Sequence, residues 1–85
     1  SHSFPKEFSV RLTQKVTDAV NAQIAMEFQS SYAYLAMAAF CERMSFPGAA
    51  AWLRAQSEEE KGHAMRLFQF LVDRGARIEL KGLSA

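Results

Sequence analysis

The sequence predicts an all-α fold, an antiparallel αα-hairpin that becomes a four-helix bundle by pairing with a second copy. Three observations carry that expectation. From Val10 to Arg43 there is neither Gly nor Pro, and Ala, Gln, Glu, Leu and Met predominate, all good helix formers. Phe46-Pro47-Gly48 then interrupts the pattern once, before a second helical run reaches Gly75. Finally, 49% of the 85 residues are hydrophobic, more than two helices can hide against each other in a chain this short.

Each element follows in order. Residues 1–8 contain Pro5, show no periodicity and read as an arm. Ser9 is placed to cap the first helix, its hydroxyl accepting a free amide of the first turn. That helix is expected over about 9–44, because Pro47 lacks an amide donor and pushes Phe46 toward extended backbone. The second is expected over about 47–74, closed by Gly75 as the left-handed residue. Gly62 sits inside it at about 1 kcal/mol relative to Ala. In the tail, 76–85, Ile78 and Leu80 alternate with charges and read as extended.

Composition excludes several classes of function. Ten basic and nine acidic residues give a net charge of +1, so nothing draws the chain to nucleic acid or to an anionic membrane. No apolar run of membrane-spanning length and no leader pattern occurs, so the expected location is cytoplasmic. Cys41 is the single cysteine; it can close no disulfide within the chain and reads as a small packing residue, like the four methionines. His2 lies in the arm, and no nucleophile–base pair or phosphate-binding glycine loop is present.

On the first helix an inward stripe runs Val20, Ile24, Glu27, Ser31, Tyr34, Ala38, Cys41. Phe28, Tyr32, Leu35 and Ala39 lie on one flank, and Met26, Ala33, Met37 and Phe40 on another. The second helix repeats the pattern with Ala49, Leu53, Gln56, Glu60, Ala64, Leu67 and Leu71. An amphipathic helix in a monomer needs one apolar stripe of about 100° or more. Here the first helix is apolar around most of its circumference, which predicts self-association.

Glu27, Glu60 and His63 break these stripes. Glu60 and His63 stand three residues apart, on one side of a helix, and carboxylate with neutral imidazole suits iron, zinc or manganese. At 1.5 Å per residue Glu27 lies roughly 24 Å from the turn, Glu60 roughly 18 Å and His63 roughly 22 Å. The three therefore come level on facing stripes, where two carboxylates would repel unless a cation held them. A di-iron carboxylate bundle takes a Glu from each of two helices and a Glu-x-x-His from each of the other two. One copy of this chain holds half of that set.

At these residues the sequence resembles the ferritins. Asn21-Ala-Gln-Ile-Ala-Met-Glu27-Phe-Gln-Ser-Ser-Tyr32-Ala-Tyr34-Leu-Ala-Met37 is similar to the first long helix of a non-haem ferritin. Pro47-Gly-Ala-Ala-Ala-Trp-Leu-Arg-Ala-Gln-Ser-Glu-Glu59-Glu60-Lys-Gly-His63-Ala is similar to the second, and Arg74-Gly75-Ala-Arg77-Ile78 to the loop after it. The resemblance implies Fe(II) binding by Glu27, Glu60 and His63, with Glu60 bridging. It implies oxidation by O₂ or peroxide, Tyr34 beside the site, and Glu59 facing the cavity where mineral nucleates. Lys61 stands where bacterioferritin carries its haem-ligand Met, so no haem is expected. Gly62 stands where some members carry another acid, and the third and fourth long helices of the family are absent. The expected function is thus a possible ferroxidase, with two iron ions per homodimer or higher homo-oligomer, serving iron storage or detoxification. The alternatives are a non-catalytic, metal-buffering ferritin fragment, or a ferroxidase like those housed in an encapsulating shell.

Overall fold

The computed structural model describes residues 12–80 and 82. It contains helix α1, Gln14–Arg43, and helix α2, Pro47–Asp73, with no strand among the described residues. The arm and the expected Ser9 cap lie outside them. Helix α1 begins five residues after Ser9, at Gln14, because Thr13 does the capping. Its Oγ1 accepts the Val16 amide at 3.1 Å from an extended backbone.

Both helices end in the same way. Ser45 takes the left-handed conformation at φ 61°, and Phe46 N donates to Cys41 O at 2.8 Å while Ser45 N donates to Glu42 O at 3.1 Å. Those two bonds make a Schellman close. Gly75, at φ 64°, repeats it, with Ala76 N on Leu71 O and Gly75 N on Val72 O, both at 3.0 Å. Between the helices only Met44, Ser45 and Phe46 remain, and Pro47 opens α2 at its first position, where a missing amide costs nothing.

A seven-residue seam joins the helices. Thr17, Ile24 and Ala38 are buried on α1, and Ala50, Ser57, Ala64 and Leu71 on α2. Ser31, in step with the first set, hydrogen-bonds Ser57 in the second. Stepping seven residues either way from that pair brings Ile24 level with Ala64 and Ala38 level with Ala50. Ala49, expected inward, is exposed, because the period running back from Leu71 lands on Ala50 instead. Ile24, Ala64 and Leu71 form the core cluster, with Leu12, Val20, Phe28, Leu67, Phe68 and Ile78 packed around it.

Asn21 ties the tail down. Its buried amide donates to Arg77 O at 2.9 Å and accepts from Glu79 N at 2.8 Å, so residues 77–79 lie across the end of the hairpin.

The molecule measures 60 × 28 × 12 Å, with a radius of gyration of 17.4 Å. A compact chain of this length would have about 12 Å. The shortest extent is one helix thick, so each broad face of the pair is open. Met26, Tyr32, Leu35, Met37, Phe40, Trp52 and Met65 are all exposed there. No described helix is long and apolar enough to cross a membrane.

Candidate metal centre

The antiparallel seam sets Glu27, one turn before Ser31, against Glu60 and His63, which follow Ser57 by three and six residues. His63 Nδ1 lies 3.4 Å from Glu60 Oε1 and 3.5 Å from Glu27 Oε1. The three ligand atoms fall within 4.8 Å of one another, each on a half-buried side chain. Two bonds of about 2.1 Å meeting near the tetrahedral angle span roughly 3.4 Å, so an ion fits between the imidazole and either carboxylate with little movement. Two oxygens and one nitrogen form a donor set that suits Fe(II), Mn(II) or Zn(II).

The carboxylates titrate apart. Glu27 is held below the ordinary carboxyl range by its hydrogen bond with Glu60, by the Gln23 amide and by the neighbouring His63. Glu60 is held above it by the same hydrogen bond, by burial and by the charge on Glu27. Like charges this close favour one proton between the pair. A divalent cation competes with that proton, so binding releases it.

Gln23 is a residue the sequence pattern does not single out. Its Nε2 donates to Glu27 Oε2 at 2.9 Å, which leaves Oε1 turned to the imidazole. A glutamine four residues before a glutamate on an exposed helix face carries no signal until the contact is seen.

Glu59 sits outside the three. Its Oε2 is 4.0 Å from His63 Nε2, the ring nitrogen facing away from the carboxylate pair, and its side chain is 61% exposed. Tyr34 is on the inward stripe, half-buried, and packs edge-on against Trp52 with centroids 6.5 Å apart. Among the described hydrogen bonds none joins its phenol to Glu27 or Glu60. A cleft of about 670 Å³ lies to the side of the seam, lined by Phe28, Tyr32, Leu35, Arg54, Lys61 and Leu80 among others. None of the three ligands lines it.

A family model described as a ferritin-like domain matches residues 17–85. The bacterial non-heme ferritin of Staphylococcus aureus is 35% identical over 74 residues, covering 87% of this chain and 45% of its own. That of Bacteroides fragilis is 41% identical over 64 residues, 75% of this chain and 40% of its own. Among solved structures, an open pore ferritin from Archaeoglobus fulgidus superposes with a TM-score of 0.83 at 36% identity, over 87% of this chain and 45% of that one. A humanized archaeal ferritin gives a TM-score of 0.84 at 38% identity, with the same coverage. The chain thus spans less than half the length of these relatives, and its two helices are consistent with an N-terminal half of the family's chain.

Proposed function

The chain belongs to the ferritin-like domain family, and from that premise we propose that it binds Fe(II) through Glu27, Glu60 and His63 and oxidises it between two copies of the chain. The observation that carries this reading is the convergence of the three ligand atoms within 4.8 Å at mid-helix. Glu27 and His63 hold one ion while Glu60, exchanging its proton for metal, reaches toward a second. The copy opposite supplies the same three groups, giving two ions per pair of chains. Each Fe(II) gives up one electron, and O₂ takes both with two protons and leaves as H₂O₂; H₂O₂ as the oxidant takes two electrons and two protons, breaks its O–O bond and leaves as two waters. Glu59 stands on the outer side of the imidazole, where closing its 4.0 Å gap to Nε2 would let it orient the ring as a supporting carboxylate. Tyr34 lies two turns further along α1 on the same stripe and bounds the site from that end.

The surface supports the pairing. The chain exposes 6433 Å², against about 5,000 Å² for a compact monomer of its mass. The surplus, on the order of 1,400 Å² per chain, matches what a permanent interface buries. At 100° per residue Met26 and Met37 fall on the flank of α1 toward which His63 turns on α2. The copies therefore meet on that face and close a four-helix bundle around the ligands.

Anaerobic Fe(II) titration followed by admission of O₂ tests the reading. Wild type is expected to take two ions per two chains and then consume O₂. Glu60→Ala and His63→Ala should lose both while retaining helical circular dichroism. One ion per two chains with no O₂ uptake makes the chain a metal-holding module without turnover, and no bound ion overturns the metal reading.

A further inference from the structure

The seam that joins the helices holds Ala38, Ala50 and Ala64 around its middle, and the layer between them is the one in which both helices contribute a polar side chain, Ser31 and Ser57. Ser57, 5% exposed, donates its hydroxyl proton to the backbone oxygen of Ser31 at 2.8 Å. With that proton committed, Ser31 Oγ donates to Ser57 Oγ at 2.9 Å. A serine hydroxyl reaching a backbone carbonyl on another helix demands close approach at that level. Ala38, Ala50 and Ala64, in the neighbouring layers, permit the approach, and Ile24, level with Ala64, is the branched side chain packed beside it.

Rotation matters to the site. A side-chain tip about 6 Å from the helix axis moves roughly 2 Å when its helix turns by about 20°, as much as a metal–ligand bond length. Ser31 stands one turn after Glu27, and Ser57 one turn before Glu60. We propose that the hydrogen bond from Ser57 to the Ser31 carbonyl is the positioning contact of the metal centre, holding the two helices at the rotation and spacing that bring Glu27 to Glu60 and His63. A polar pair within a mostly apolar helix seam commonly specifies alignment at some cost in stability. Here it does so beside the ligands. This inference rests on the metal-binding reading and adds to it the residue that presets the ligand geometry.

The test uses the full chain with Co(II) as the spectroscopic ion. Ser57→Ala removes both hydrogen bonds and is expected to weaken Co(II) binding about tenfold or more, the usual range for a supporting contact. Ser31→Ala keeps the bond to its own backbone carbonyl and should stay within about twofold of wild type. Ala50→Gly, two turns away in the same seam, lowers the melting temperature without touching the bond, and it should also hold its affinity, separating position from stability. In metal-free protein, nuclear Overhauser contacts between the Glu27 and His63 side chains should persist in Ser31→Ala and vanish in Ser57→Ala. Unchanged affinity and contacts in Ser57→Ala overturn the proposal, as does equal loss in all three variants. If wild type binds no Co(II), the metal reading falls, and the metal-free contacts alone then decide the positioning role.

Discussion

Glu60 is held above the ordinary carboxyl range and Glu27 below it, and that division sets how the metal-free protein responds to pH. A carboxyl whose folded pKa is raised adds stability below its unfolded value and loses that contribution as pH rises through the folded one. Glu60 is such a group. Glu27, held low, contributes above its unfolded value and fails only as pH falls through its depressed one. Between mildly acid and neutral pH the Glu60 effect governs. Melting temperatures of metal-free wild type should therefore drop across that interval more than those of Glu60→Gln, and at neutral pH the variant should be the more stable. It should also lose metal binding, because an amide cannot bridge two cations. A variant that is both less stable and insensitive to this pH change would contradict the shared proton. Glu27, Glu60 and His63 were legible from sequence because each breaks an apolar stripe at a countable distance from the turn. Gln23 and Ser57 were not, since a polar side chain on an alanine-rich helix acquires meaning only from what stands opposite it.

The two helix closures differ by one side chain. Gly75 takes the left-handed conformation without a Cβ penalty, whereas Ser45 adopts the same conformation at φ 61° with one. That conformation costs an ordinary L-residue about 1–2 kcal/mol, and the glycine carries extra backbone entropy in the unfolded chain. Ser45→Gly should thus gain up to about 1 kcal/mol, raising the melting temperature by roughly 4–8 °C for a chain this size. Thermal unfolding measures it directly, and a lower melting temperature would show that the serine makes up for its strain. Gly75 was readable because glycine after a periodic run is the usual stop. Ser45 was not, because the Pro47 signal two residues later marks the break without saying which residue turns it. The first boundary moved to Thr13 for a related reason: several hydroxyls precede the helix, and only folded geometry selects the one that meets a free amide.

Across the whole molecule the open faces matter most, because a sheet of two helices one helix thick leaves both of them to be covered. Leu35 and Met37 sit on opposite flanks of α1, and both are about half exposed. If the copies meet on the ligand-bearing side, Met37→Glu should yield a monomer in sedimentation and take up fewer than two metals per two chains. Leu35→Glu, on the side of the cleft, should leave the dimer mass and the metal count as in wild type. The reverse result would move the interface to the cleft.

The sequence by itself determined two long helices, one short turn, an excess of apolar surface and three polar side chains that interrupt the apolar stripes, because helical period, proline and glycine act locally and add along the chain. The tertiary structure decided the phase of the seam, landing on Ala50 rather than Ala49. It also decided the tail's attachment to Asn21, the Gln23 and Ser57 contacts, and the opposite directions in which the two carboxyls shift. Each of these depends on atoms from opposite helices meeting within about 3–4 Å. A period of 3.6 residues places a side chain on a face, but not to that distance.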